Sequence, residues 1–424
     1  MRRMQGNRRA VRAWALYDVG NSAFSTTVMA GFFPIFFKQY WCAGESPTVS
    51  TFRLGVTSSI ASAIVAVLAP VLGAIGDQTS SRKRLLSWFA LLGALSTLGL
   101  AFIGKGDWLL AAALFALGTI GFACSLVFYD SLLVAVAPPG ESHRVSSLGY
   151  ALGYLGGGVL FAINVAMTQK PSWFGLADAA IAVRVSFASV GVWWLFFLVP
   201  LLRHVQEPIG GAGGRPFFAQ AESALAEVRR TIKSVSETRA VWLFLLAYWL
   251  YIDGVDTVIR MAVDYGLSIG LPSSALITAL LITQFVGFPA AIACGKVAGR
   301  IGEKRAILIC LGIYVCVTIW GAQMETSREF YVLAVAIGIA QGGVQALSRS
   351  MWSRMVPPER AAELFGFYNM LGKMAAIVGP LLMGAVALIS GSTRISILSI
   401  TVLFFAGGLL LARVPEPGKD SIPA

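Results

Sequence analysis

The chain has 424 residues, of which 57% are hydrophobic and only 13% charged. A soluble domain of this size carries about 25% charged residues, so these proportions exclude a water-soluble globular protein and describe a polytopic membrane protein. The net charge of +12 would suit a nucleic-acid partner, but the placement of the charges decides against one.

In chain order, twelve segments are apolar over the roughly 20 residues needed to cross a bilayer. They are 13–39, 53–76, 85–104, 108–137, 145–168, 180–202, 240–266, 272–298, 305–323, 330–355, 363–389 and 394–412. The first follows MRRMQGNRRAVR and runs too long for the core of a cleavable signal, so it reads as a spanning helix. One longer polar stretch, 203–239, separates six segments from six. It divides the chain into an N-terminal bundle, 1–202, a linker, 203–239, and a C-terminal bundle, 240–424. In the linker, Phe218, Ala221, Leu225, Val228, Ile232 and Val235 recur at helical spacing, with Glu222, Glu227, Arg229, Arg230 and Lys233 on other faces. That pattern predicts an amphipathic helix on the membrane surface, a strap between the two halves.

With the N-terminus inside, 23 of the 33 Lys and Arg fall on cytoplasmic segments and 7 on external ones. By the positive-inside rule, both termini are cytoplasmic. The basic residues therefore set topology and imply no nucleic acid. Cys42, Cys124, Cys294, Cys310 and Cys316 form no spaced cluster, and the two histidines, His143 and His204, lie near loop ends. No disulfide framework, metal site or cofactor is expected.

The two halves carry matching stretches. FYDSLLVAVAPP (128–139) aligns with LSRSMWSRMVPP (347–358), with Ser131 opposite Ser350 and Asp130 opposite Arg349. Leu16, Tyr17 and Gly20 match Leu250, Tyr251 and Gly254, and GAIGDQTSSRKR (73–84) matches GKVAGRIGEKR (295–305). Their common order along the chain argues for an internal repeat.

Gly73, Asp77, Arg82, Lys83 and Arg84 resemble the G-x-x-x-D and basic-cluster signature of the major facilitator superfamily, with one extra residue and serine for the usual glycine. The second copy keeps Gly295, Arg300, Gly302, Lys304 and Arg305, but Gly299 stands where an acid is common. The resemblance implies a latch that closes the cytoplasmic face against a neighbouring helix end, with Asp77, Arg82, Arg84, Arg300 and Arg305 as candidate gating residues. Asp77 suits that role because a carboxylate is stabilised at a helix N-terminus. A tight, positively flanked turn would use the same residues. More specifically, WALYDVGNSAFSTTVMAGFFPIFFKQYW (14–41), SSLGYALGYLGGG (146–158), YIDGVDTVIRMAVDYG (251–266) and GGVQALSRSMWSRMVPP (342–358) look like the branch of fungal vacuolar amino-acid effluxers and their bacterial relatives. That implies an all-α polytopic fold with 12 transmembrane helices in two pseudo-symmetric six-helix bundles. It also implies amino-acid cargo, and acids and bases in one cavity equally suit a short peptide; a monomer in a bacterial cytoplasmic membrane is expected.

Seven ionisable residues fall at membrane depth: Asp18, Asp130, Asp253, Asp256, Arg260, Arg349 and Lys373. They lie on predicted helices 1, 4, 7, 10 and 11. Helices 3, 9 and 12 carry none in their spans, and helix 6 has only Arg184 near its outer end. Charges buried in a membrane face a cavity or each other. The resemblance implies that helices 1, 4, 7 and 10 line a central cavity while 3, 6, 9 and 12 face lipid, and the two patterns agree.

Asp18, Asn21 and Ser25 share one face of helix 1, with Tyr17 adjacent, and Asp253, Asp256 and Arg260 share one face of helix 7. Asp256 and Arg260, four apart, can pair directly, as a structural ion pair or as a substrate site. That leaves Asp253 without an obvious partner in its own helix. Tyr150 with Tyr154, Gln341 with Gln345 and Asn369 with Lys373 form further i, i+4 pairs, and Gln284 joins them from helix 8. The runs GYLGGG and GIAQGG permit close helix approach.

These residues predict a secondary active transporter that moves a small polar or zwitterionic solute by alternating access, coupled to protons. Asp253, then Asp18, are the candidate proton carriers, because an apolar cavity disfavours a charged carboxylate. Arg260 and Lys373 are candidates to hold a substrate carboxylate or phosphate. Asp130 and Arg349 are expected to meet across the halves when the cytoplasmic side closes. An amphipathic lipid or another anionic metabolite is the alternative cargo, and a non-transporting sensor or scaffold the alternative class. No enzyme is expected. Tyr17-Asp18 and Tyr129-Asp130 superficially suit an intramembrane aspartyl protease, but its second motif, G-x-G-D, is absent, as is a Walker A loop.

Overall fold

The computed structural model describes residues 8–45, 47–79, 81–207, 239–390 and 392–415. Among these residues the chain forms twelve long helices. The first, α1, begins as Arg8–Ala23 and continues through wider π-turns at Phe24–Phe32 and Phe37–Trp41. The next five are α2 (Pro47–Thr79), α3 (Arg82–Gly99), α4 (Trp108–Val136), α5 (Ser142–Gln169) and α6 (Ala179–His204). The last six are α7 (Arg239–Ser268), α8 (Ser273–Ile301), α9 (Glu303–Gly321), α10 (Ser327–Met355), α11 (Ala361–Ser390) and α12 (Thr393–Arg413). Ten of them, α2 to α10 and α12, are long and apolar enough to cross a membrane. The amphipathic helix expected near 218–235 lies outside the described residues.

Each apolar segment matches one helix to within a few residues: α2 and α7 outrun 53–76 and 240–266 at both ends, whereas 85–104 and 305–323 run past the ends of α3 and α9. Hydropathy marks only the part of a helix that sits in hydrocarbon, whereas backbone hydrogen bonding continues into the polar margins. Local chemistry fixes some ends. Asp178 Oδ1 accepts the Ile181 amide at 2.7 Å and caps α6. Thr326 and Glu329 form a reciprocal capping box at the start of α10. Gly302, with φ of +89°, supplies the turn into α9 that a residue with a Cβ adopts only under strain.

Among the described residues, two large hydrophobic cores form beside two smaller clusters. One joins residues from Ala13 to Val205, including Trp14, Phe24, Tyr129 and Trp194; the other joins residues from Val241 to Val414, including Tyr251, Tyr314, Trp352 and Phe404. Among the described residues of α11, Ala362 alone enters the first core. The halves meet where α5 packs on α8 and α10, and where α2 and α4 pack on α11. At the α2–α11 contact, a Cβ on Gly73 would collide with the backbone of Ala362 and Glu363. Helices α3, α6, α9 and α12 turn apolar side chains outward, among them Trp88, Phe196, Ile309 and Phe405.

The internal repeat extends to a pair of lysines. Lys83, at the start of α3, donates to the carbonyls of Leu202 and Val205 at the end of α6, at 2.8 and 2.7 Å. Lys304, at the start of α9, donates to Ala412 and Val414 at the end of α12, at 3.3 and 2.9 Å. Each ammonium satisfies carbonyls that a helix C-terminus leaves without partners, at the negative end of its dipole.

Candidate functional site

Arg349 of α10 is 2% exposed, and its guanidinium reaches into the other half of the molecule. Nη1 donates to Asp130 Oδ1 of α4 at 3.0 Å. Nε donates to Ser146 Oγ of α5 at 2.9 Å, and Nη2 to the Ser146 carbonyl at 3.0 Å. Nη2 also lies 3.6 Å from Asp18 Oδ2 of α1. Asp18 Oδ2 accepts from the Tyr129 hydroxyl at 2.7 Å, and Asp130 Oδ2 accepts from Asn369 Nδ2 of α11 at 3.3 Å. Three rings surround the guanidinium carbon: Tyr150 at 4.3 Å, Trp14 at 4.9 Å and Tyr129 at 5.4 Å. Trp14 and Tyr129 stack at 4.4 Å, and the indole donates to the Tyr129 carbonyl.

The space for this cluster comes from Gly149. A Cβ there would stand 2.6 Å from Asp18 Oδ2 and 3.0 Å from Arg349 Nη2. One guanidinium thus balances two carboxylates at a buried point, and every contact except those within α1, α4 and α5 crosses between the halves.

A second closure lies at the loop between α2 and α3. Asp77 Oδ1 and Oδ2 accept the amides of Ala362 and Glu363, the first turn of α11, at 3.1 and 2.9 Å. Arg82 Nε donates to Asp77 Oδ1 at 2.8 Å while its Nη2 donates to the Pro358 carbonyl at 2.8 Å. Asp77 therefore sits at a helix N-terminus of the other half, with the arginine bridging to the loop that precedes it. Glu207, just beyond α6, accepts the Lys83 amide at 3.3 Å, and its burial holds the carboxyl above its ordinary range. The second copy is built differently. Gly299, opposite Asp77 in the repeat, faces His143, against which a Cβ would stand 2.9 Å away. Glu303 instead bonds Ser350 and pairs with Arg354 at 3.3 Å. Arg84, Arg300 and Arg305 are exposed.

The remaining candidates divide. Asp253 is 1% exposed and accepts the Gly379 amide of α11 at 2.9 Å. It also accepts from Thr257 Oγ1 at 3.5 Å, so the expectation that it lacks a partner in its own helix is corrected: a threonine one turn on supplies one. Asp256, on the same helix, is half-buried. The side chains of Arg260 and Lys373, and with them the expected Asp256–Arg260 pair, lie outside the described residues. Tyr150 and Tyr154 do not pair with each other. Tyr150 lies under Arg349, and Tyr154 donates to Gln345 Oε1 of α10 at 3.2 Å.

Gln341 is buried on α10, and Gln284 of α8 lies against Gly158 of α5. Asn21 is 2% exposed, with an amide nitrogen that has no hydrogen-bond partner among the described residues. Tyr17 is directed away from the cluster: its hydroxyl donates to Ser125 at 3.0 Å and accepts from Trp194 at 3.2 Å, inside the first core. Ser146, Trp14 and Tyr129 were not among the predicted site residues. The available signals were spacing and adjacency: Trp14 precedes Asp18 by one turn, Ser146 precedes Tyr150 by one turn, and Tyr129 adjoins Asp130.

The chain matches the family model described as vacuole effluxer Atg22 like over residues 45–140 and 137–419. It is 37% identical to the uncharacterized MFS-type transporter YxiO of Bacillus subtilis, over 97% of this chain and 96% of that one. It is 23% identical to autophagy-related protein 22 of Coccidioides immitis, over 86% of this chain and 73% of that one. Among solved structures it resembles the MFS proton:xylose symporter XylE with a TM-score of 0.70 at 14% identity, covering 98% of this chain and 96% of that one. It also resembles the human organic anion transporter MFSD10 with a TM-score of 0.71 at 16% identity, covering 95% and 99%. At these identities the structural likeness concerns the fold alone.

Proposed function

This chain belongs to the Atg22-like vacuole effluxer family of MFS-type transporters, and on that premise we propose that it moves an amino acid or short peptide by proton-coupled alternating access. The observation that carries the reading is the double closure between the halves: Arg349 on Asp130 and Asp18, and Asp77 on the first turn of α11. Both closures use charged groups that water can solvate once the halves separate, so each can break and re-form in a transport cycle. In this reading 1–202 and 240–424 rock as two bundles, the 203–239 linker and both termini face the cytoplasm, and the closed end is the cytoplasmic one. The protein works as a monomer in a bacterial cytoplasmic membrane.

Half-buried polar groups from both halves support a solute site between them: Tyr150 on α5, Asp256 on α7, Gln284 on α8, Gln345 on α10 and Asn369 on α11. Asp253 is the proton carrier in this scheme. Its carboxylate holds the Gly379 amide of α11, the helix whose first turn carries the latch, so a change of charge at Asp253 is felt by the gate.

Purified protein in liposomes tests the proposal with counterflow of amino acids and dipeptides, with and without an imposed pH gradient. Asp253→Asn is expected to retain counterflow and lose gradient-driven accumulation. Failure of every amino acid and dipeptide to exchange overturns the cargo, and accumulation indifferent to the gradient overturns the coupling.

A further inference from the structure

Arg349 is the only part of the cluster that comes from α10. Trp14 and Asp18 stand on α1, Tyr129 and Asp130 on α4, and Ser146 and Tyr150 on α5, all in one half. Those three helices are packed around one core, in which Trp14 and Tyr129 are fully buried. Two carboxylates, three aromatic faces and a serine that receives two N–H groups surround one guanidinium. Aromatic faces attract a desolvated cation, and a planar fork of N–H donors matches carboxylate and carbonyl acceptors in a way that a point charge does not.

We propose that this pocket is a guanidinium-binding site of the N-terminal half, which Arg349 fills as a tethered occupant in the closed state. A solute carrying a guanidinium group would take its place when the halves part. The proposal rests on the alternating-access reading, because Arg349 vacates the pocket only if α10 withdraws. Once it does, Asp18 and Asp130 lie close together without their counter-ion, and buried charge left uncompensated is strongly unfavourable. A cation entering from the opened side restores the balance and uses the same acceptors. Gly149 keeps the pocket deep enough, since a Cβ there would intrude between Asp18 and the guanidinium. Departure of the solute lets Arg349 return, so cargo and gate compete for one position.

The test is titration of purified Arg349→Ala with methylguanidinium chloride, followed by tryptophan fluorescence, against potassium chloride at equal ionic strength. Methylguanidinium is expected to give a saturable change in Arg349→Ala at least about tenfold tighter than in the wild type, where the tether occupies the site. Adding Trp14→Leu or Asp130→Asn is expected to abolish it. Equal or absent responses in Arg349→Ala and wild type overturn the proposal. If Arg349→Ala does not elute as folded protein, Ser147→Cys in the Arg349-containing protein replaces it. Ser147 is buried where α5 meets Gly295 of α8, so competition with Arg349 is expected to raise its maleimide labelling by about tenfold, and unchanged labelling overturns the idea. Neither readout requires flux. A protein that transports but ignores methylguanidinium loses the pocket and keeps the transporter reading; one that binds methylguanidinium without moving any solute does the reverse.

Discussion

Arg349→Asp alone would bring three carboxylates to one buried point, and Asp130→Arg alone would set two guanidiniums beside Asp18. Breaking a buried ion pair by removing one partner costs about 3–5 kcal/mol. The contacts of Arg349 with Asp18, Asp130 and Ser146 all run between the halves, so almost the whole cost falls on the closed state. At about 1.4 kcal/mol per factor of ten, each single change depopulates that state by about 100- to 4,000-fold. Exchanging both charges restores a 130–349 pair. It does not restore the two Ser146 hydrogen bonds or the contacts with Trp14 and Tyr150, so about half of the loss is expected back. The assay is solute counterflow in liposomes together with maleimide labelling of Ser147→Cys in each background. The double variant should transport better and label less than either single variant. Wild-type transport by both single variants, with Ser147→Cys still protected, would refute the reasoning.

Three further outcomes follow from the same contacts. Asp77→Asn removes the charge at the α11 N-terminus and one of its acceptors, weakening the latch by about 1–2 kcal/mol; Ser147→Cys labelling should rise about tenfold, and unchanged labelling counts against a latch. Lys83→Met and Lys304→Met each uncap one helix end and should lower stability by similar amounts, about 1 kcal/mol; a melting-temperature loss in only one of them would break the symmetry argued from the repeat. Burial raises the Glu207 carboxyl, so its contribution to stability is fullest below the ordinary glutamate value and is lost as pH climbs through the raised one. The melting-temperature difference between wild type and Glu207→Gln should therefore shift against the wild type as pH rises above the ordinary glutamate value of about 4.3, and a flat difference refutes it.

Several features were legible because they depend on residues close in sequence. Hydropathy over some twenty residues located the helices, and the repeat placed Asp130 opposite Arg349. The loop motif pointed Asp77 at a helix end, where it holds the first amides of α11. Helical spacing also put Asp253 and Asp256 on one side of α7. It could not say what stands there, and the structure turns Asp253 to the Gly379 amide and leaves Asp256 half-buried.

The sequence by itself determined that this is a helical membrane protein of two related halves, with its rare charges on the helices that meet. Those facts follow from composition and from the 3.6-residue period, which assigns a side chain to a face of its own helix. Apart from the Asp130–Arg349 pair, only the tertiary structure decided the partners. Arg349 and Ser146 are 203 positions apart, and Asn369 and Asp130 are 239 apart. No periodicity links such residues. Packing of α5 on α10 and of α4 on α11 brings them together, and the small surface of Gly149 leaves room for what they build. Tyr150 and Tyr154 show the difference most plainly. One face and one turn of helix join them in sequence, yet one closes over a guanidinium and the other bonds a glutamine, because the neighbouring helix presents a different group at each level.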